Sequence, residues 1–359
     1  GPVFEGMKAQ LAGIASHSGM AGVFKLLGSD IYEVQEIECI AGEPLPAAPP
    51  RTGMLTALRR GSERLSRSSG LDELLNAALA TLTDFMGIRH AMVLMLDAAT
   101  QRLYTVASCG YATSGVGSEI DMGDGVIGVA ARERTPVRIG HMTNAYLYSR
   151  AIRSSLCAEA PGLMLDTDIP YPGLAEPHSQ LAVPILSAGR LLGVLFAESP
   201  HELQFGFEDE DVLVTLAGHL GAAIELAQAS PETLDMPEVA PLKAPTRPES
   251  GTALQLRRFK ANDSVFINDA YLIKGVAGAI FWKLVNDYVQ RGRTEFSNRE
   301  LRLDPAIRLP DVTDNLEARL LLLQRRLAEH SPHLHIEKIG RGRFRLAVQR
   351  PLALTEVAA

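Results

Sequence analysis

Apolar positions first recur with a helical period at Leu71, Leu74, Leu75, Ala78, Leu79, Leu82 and Phe85, a spacing that gathers them on one stripe of a helix. Gly87 ends that helix. The period then shortens: Ala91–Leu96 and Leu103–Ser108 read as strands, and the stretch from Asp121 to Gly128 reads as turns. Two nearly continuous apolar runs, Gln180–Leu186 and Leu191–Ala197, flank Ser187, Ala188, Gly189 and Arg190, which is a hairpin signature. A helix from Glu208 to about Ala229 closes the segment, with Val212, Leu216, Leu220 and Ala223 on one face.

Beyond residue 250 the pattern changes. Ser264–Ile273 reads as two short strands around the turn-favouring pair Asn268 and Asp269. Ala277–Gln290 is amphipathic, with Ile280, Phe281, Leu284, Val285 and Tyr288 on its apolar face. Ser297 with Glu300, and Asp314 with Glu317, are spaced as capping boxes opening two more helices, the second running to Glu329. His335–Val348 is a hairpin with Gly340 and Gly342 at its tip. Pro-rich breaks at 41–50 and 230–251 continue neither helix nor sheet and read as extended linkers. The fold class expected is α+β. It comprises an N-terminal segment and linker (1–50), a first domain (54–229), a linker (230–253), a second domain (254–352) and a tail (353–359). Residues 1–6 read as a tag scar with Met7 as the native start, and 7–40 hold a helix near Met20–Leu27 and a strand-like Ile31–Ile40 to which no role is assigned.

Composition narrows the class. The 359 residues include only three cysteines, Cys39, Cys109 and Cys157, without zinc-finger spacing, so neither a disulfide framework nor a structural zinc site is expected. The most apolar stretch, Leu181–Ala197, is interrupted by Pro184 and Arg190 and is too short to cross a bilayer, so the expectation is a cytoplasmic protein with no membrane partner. The net charge of −7 is unevenly spread. Residues 251–359 carry 18 Lys plus Arg against 12 Asp plus Glu, whereas 1–250 carry 17 against 30. A basic end on an acidic chain is the asymmetry of a module that meets a polyanion.

Gly123–Gly128, Thr135–Ile139 and the strand pair Ser179–Ile185 and Leu192–Ser199, with the flanking helices, resemble a GAF domain over residues 54–229. The resemblance implies an antiparallel sheet flanked by helices, with a small-molecule effector held between the sheet and the 141–178 segment. It draws Tyr104, Cys109, His141, Tyr146, Tyr148, Cys157, Asp166, Tyr171 and His178 into the candidate pocket. It leaves the ligand open, since GAF domains sense cyclic nucleotides, haem, bilins, metabolites and nitrogen oxyanions. His141, Cys157 and His178 lack the tight spacing of a metal or haem motif, and no metal is predicted. Cys109 and Cys157 would form a redox pair if the chain worked as a GAF-type free methionine sulfoxide reductase, or anchor a bilin, but no local motif marks either, and a non-enzyme is expected.

Residues 262–350 are similar to a winged helix of the OmpR/PhoB type, most closely in Tyr271–Leu284 and in Ile339–Leu346. That resemblance implies double-stranded DNA as partner, with the helix after Asp314 in the major groove and the hairpin against the minor groove. Arg341, Arg343 and Arg345 alternate with Gly342, Phe344 and Leu346, so the guanidiniums share one face. With Asn315, Arg319, Gln324, Arg325 and Arg326 they make the candidate DNA set. Leu321 and Leu322 depart from the family pattern and fit either thymine methyl groups or burial against a second subunit. The helices around 71–86 and 212–227 would pair in a homodimer, His219 with Gly218 and Gly221 allowing close approach, unless their own sheet consumes their apolar faces. The expected function is a one-component transcriptional regulator. A GAF adaptor whose second domain binds protein is the alternative.

Overall fold

The computed structural model describes residues 53–142, 169–229, 252–305, 307, 316–340 and 342–357. The elements expected at 7–40, the two Pro-rich linkers, the short helical piece near Arg150–Glu159 and the Asp314 cap lie outside these residues.

The first module opens with α1 (Met54–Ser66) and α2 (Leu71–Met86), then β1 (His90–Asp97), β2 (Arg102–Cys109), β3 (Glu119–Asp121), α3 (Gly125–Glu133), β4 (Val137–Ile139), β5 (Ser179–Ser187), β6 (Arg190–Ser199) and α4 (Phe207–Ala229). Its strands form one six-stranded antiparallel sheet in the order β3-β2-β1-β6-β5-β4. The pleat sends alternate side chains to opposite faces. Ala91, Val93 and Met95 of β1 join the core under α1, α2 and α4, and Met92 and Leu94 join a second core under α3. The β5–β6 hairpin turns through Ala188 and Gly189, both left-handed, the geometry that matches strand twist.

Two readings change. Residues 121–128 are not all turn, because α3 begins at Gly125; Gly128 is required where a Cβ would sit 2.4 Å from the Asp121 carbonyl oxygen. The sequence pattern singles out no helix at α1. The apolar faces of α2 and α4 are consumed inside the module, through Leu74, Leu75 and Leu82 on α2 and Val212, Leu216 and Leu220 on α4. Gly221 accommodates the sheet, its Cβ position lying 2.4 Å from the Leu186 carbonyl oxygen, and His219 meets Ser62 Oγ of α1 at 3.0 Å. The close approach at Gly221 is thus within the module, whereas Gly218 is exposed with nothing within 4 Å of its Cβ position among the described residues.

The second module runs β7 (Leu254–Phe259), β8 (Ser264–Ile267), β9 (Ala270–Ile273), α5 (Gly275–Arg291), β10 (Glu295–Ser297), α6 (Asn298–Leu303), α7 (Leu316–His330), β11 (Leu334–Gly340), β12 (Arg343–Val348) and β13 (Leu352–Val357). Asn268 and Asp269 take the left-handed turn at the β8–β9 corner. Gly292 closes α5 in the left-handed conformation. Ser297 caps α6, accepting from the Glu300 amide at 3.3 Å, while the Glu300 carboxylate accepts from Arg293 at 2.5 Å. The strands form a three-stranded sheet, β10-β12-β11, and a four-stranded one, β13-β7-β8-β9. Residues 353–359 are therefore not a tail throughout: β13 pairs parallel with β7, and Glu356 is held by Arg258 and Lys260.

Gly193 in β6 carries the tightest constraint in the first sheet, since a Cβ there would lie 2.0 Å from the Leu94 carbonyl oxygen of β1. Gly193→Ala is expected to cost about 2–4 kcal/mol by forcing these paired strands apart, read as a lowered midpoint in urea denaturation.

Candidate functional site

The α3 side of the sheet combines an apolar floor with buried polar groups. Met92, Leu94, Leu103, Val194 and Phe196 make the floor. At its end, Gln180 of β5 and Glu198 of β6, both buried, stand directly opposite in register. Glu198 accepts from the Leu174 amide at 2.7 Å and from Gln180 Nε2 at 3.0 Å, while Gln180 Oε1 has no hydrogen-bond partner among the described residues. Tyr111 and Tyr171 pack on the same core, and the Tyr111 ring meets His90 at 5.6 Å between centroids. Burial, with the Glu198 charge beside it, pushes the Tyr111 hydroxyl far above its ordinary value, so it stays a donor. Burial and neighbouring Arg89 lower His90, which favours its neutral ring. Thr105 and Ser118 add a buried hydroxyl pair at 2.9 Å. The arrangement presents one carboxylate, one open amide oxygen and one phenol at the rim of an apolar surface.

Of the nine pocket residues expected from sequence, Tyr171 lies on this face. Tyr104 does not: strand alternation turns it to the opposite face, where its ring lies beneath the Arg319 guanidinium at 4.5 Å. Cys109 also faces away, between Thr83 and the Arg89 carbonyl, and burial raises its thiol. His141 and His178 meet instead at exposed Glu202, at 3.2 and 3.9 Å. Tyr146, Tyr148, Cys157 and Asp166 lie outside the described residues, and among those described no group of three or more His, Cys, Asp or Glu side chains is placed to hold a metal. Sequence reasoning missed Gln180 and Glu198. Their signal was a polar residue at the outer end of each of two otherwise apolar strands that pair as a hairpin.

The candidate DNA residues divide sharply. Arg319, expected to face a duplex, is buried and pairs with Asp97 Oδ2 at 3.0 Å. Arg325 donates to the Val106 carbonyl at 2.8 Å, to Asp72 at 2.5 Å and to Asn76 at 2.9 Å. Arg326 is buried against its own module, donating to the Leu272 carbonyl at 2.9 Å and the Tyr271 carbonyl at 3.3 Å. Leu321 and Leu322 are buried as well; a Cβ on Gly117 would lie 3.6 Å from Leu322 Cδ1. These two leucines thus face neither solvent nor a second subunit. The cause is the helical period: Arg319, Leu322, Arg325, Arg326 and Glu329 share a face, on which the first module covers Arg319, Leu322 and Arg325, Arg326 is buried against its own module and Glu329 stays exposed at the edge. Gln324 stays exposed beside a cleft of about 110 Å³ that also borders Leu71, Leu320, Leu321, Lys338 and Phe344. Arg343 is exposed and Arg345 half-buried, and both reach Glu295, at 3.4 and 2.9 Å. Asn315 and Arg341 lie outside the described residues.

Among described residues, no helix is long and apolar enough to cross a membrane. A family model described as GAF domain matches residues 68–225. The GAF domain of a phosphoenolpyruvate-protein phosphotransferase from Acinetobacter is similar at 24% identity, covering 49% of this chain and 95% of that one, with a TM-score of 0.39. A GAF domain of the same kind of protein from Coxiella burnetii shows 23% identity, 49% and 95% coverage and a TM-score of 0.38. Free methionine-R-sulfoxide reductase from Neisseria meningitidis shows 22% identity, 48% and 88% coverage and a TM-score of 0.37. No curated protein matches the chain.

Glu198→Ala would leave the Leu174 amide and the Gln180 amide nitrogen without their acceptor and is expected to cost about 2–3 kcal/mol in urea denaturation, with Glu198→Gln costing less. A second expectation concerns pH. Burial alone would raise the Asp97 carboxyl, but Arg319 outweighs it and holds the group below its ordinary 3.8. The stability that this pair adds is therefore complete above about pH 4 and is lost as pH falls through the depressed value. The stability difference between wild type and Asp97→Asn should stay constant from pH 7 to about 4 and shrink below that.

Proposed function

We propose that this chain, in which residues 68–225 are a GAF domain, is a one-component transcriptional regulator: the GAF domain binds a small effector and the C-terminal module binds double-stranded DNA as a winged helix. The observation that carries the reading is the order of elements in the second module. Strands β7–β9, helices α5, α6 and α7, and the β11–β12 hairpin follow one another, with the short β10 joining the hairpin in one sheet. In that arrangement α7 corresponds to the helix placed in a major groove and the hairpin to the wing. The exposure of Arg343 and the basic balance of residues 251–359 support contact with phosphates.

The effector would occupy the α3 side of the sheet. Glu198 and Gln180 Oε1 favour donors or a positive group on the ligand, and the floor of Met92, Leu94 and Phe196 favours an apolar body. The effector acts by binding alone. The half-buried Cys109 thiol, raised in pKa by desolvation, is a poor nucleophile, which favours a sensor over a thiol enzyme. The protein-docking alternative has less support, because Leu321 and Leu322 are covered by the chain itself.

Binding to fluorescent duplex DNA, followed by anisotropy over a salt series with and without metabolite extract, tests the reading. Arg343→Ala is expected to weaken binding and to reduce the slope of log affinity against log salt by about one. Absence of DNA binding under every condition would remove the DNA half. Native mass spectrometry of Glu198→Gln, which should lose any co-purifying effector, tests the sensor half.

A further inference from the structure

Three ion pairs among the described residues join the two modules, and all run in one direction. The GAF domain supplies the carboxylate and the C-terminal module the cation: Asp97 with Arg319, Asp72 with Arg325, and Glu119 with Lys274 at 3.3 Å. Ser114 adds a hydrogen bond to Glu329 at 2.5 Å, and the Tyr104 ring faces Arg319. The covered face of α7 is the one that carries its arginines. A major groove about 12 Å wide admits a bare helix but not one with a sheet packed on it. The acidic excess of the first 250 residues thus has a local use, because two of its carboxylates, Asp97 and Asp72, occupy α7 guanidiniums that phosphates would otherwise take.

We infer that the face of the GAF domain formed by β2, the end of β1 and the start of α2 is an autoinhibitory dock, which competes with duplex DNA for α7 and releases it when the sensor changes state. The inference rests on the DNA-binding reading above. Two observations argue that the dock is reversible. Asp72 is 56% exposed, so the Arg325 contact is partly solvated, and the neighbouring cleft leaves this side of the interface incompletely packed. Two others connect it to the effector site. Strand β2 carries Leu103 into the α3-side core and Tyr104 into the dock. The 110–118 loop carries Tyr111 to the Glu198 cluster, Ser114 to Glu329 and Gly117 to Leu322. A ligand that shifts either segment on one side of the sheet moves the dock on the other. The exposed hairpin is not withheld, so the docked chain should retain weak contact through Arg343 while α7 contributes nothing.

The test uses the full chain with Asp72→Asn and Asp97→Asn, singly and together, checked for folding by circular dichroism. Two readouts are taken: hydrogen exchange over residues 316–330, and affinity for a fluorescent duplex of random sequence at fixed low salt. The double variant is expected to exchange faster over α7 and to bind DNA about tenfold more tightly, the scale of a typical coupling between sites. The swap Asp72→Arg with Arg325→Asp should return exchange toward wild type. Asp72→Asn, at a partly solvated position, carries the test if Asp97→Asn fails to fold. Unchanged exchange in the folded variants overturns the dock. Faster exchange with wild-type DNA affinity overturns the competition. Faster exchange with no DNA binding by any form, wild type included, supports the dock and overturns the DNA-binding reading instead.

Discussion

The guanidinium of Arg319, held between the Asp97 carboxylate and the Tyr104 ring, sets how the two modules meet. A buried arginine tolerates few settings, because desolvation is offset only where a carboxylate and a ring face approach together. Both come from neighbouring antiparallel strands, Asp97 ending β1 and Tyr104 near the start of β2. Once Arg319 is seated, the pitch of α7 carries Leu322 to Gly117, Arg325 to Asp72 and Glu329 to Ser114. One helix face is thus matched to one strand, one loop and one helix end, and a shift by a single residue would break the matches together.

The sheet beneath this contact divides labour by parity. In β1 and in β6 from Val194 onward the even-numbered residues face the α3 core and the odd-numbered ones face the helices, as with Met92 against Val93 and Phe196 against Ala197; at the start of β6, beside the irregularity in its pairing with β5, Leu191 faces the α3 core and Leu192 the helices. The α3-side core and the contact with the second module therefore share strands without sharing side chains. That separation lets each face change its residues independently, while the backbone between them remains common to both.

Much of the fold was legible in the sequence because its signals were local. Ala188 and Gly189 between apolar runs marked the β5–β6 hairpin, Asn268 and Asp269 the β8–β9 turn, and Ser297 with Glu300 the start of α6. The departures share a cause in distant partners. β13 carries no turn or strong alternation and exists because β7, about a hundred residues earlier, offers a parallel edge. α3 contains Gly125 and Gly128, which argue locally for a turn, but Gly128 answers a close approach by Asp121. In the site, residue type was a poor guide and strand parity a better one. Tyr104 was attractive as an aromatic on the right strand, yet its register turns it away, whereas Glu198 and Gln180 stood out only as polar ends of apolar runs. For α7, the periodicity correctly separated two faces. What it lacked was the knowledge that both faces already had partners within the chain.

The parallel pairing of β13 with β7 also has a mechanical meaning. The described chain enters the second module at the first residues of β7, and the last described residues leave from the far end of β13, with Leu254 opposite Leu352 and Phe259 opposite Val357. Tension applied between those two points pulls the strands along each other, so that the ladder of slanted hydrogen bonds resists as a set in shear, without peeling open one bond at a time. Where the chain is held at both of those points, this sheet edge carries the load before α7 or the hairpin does.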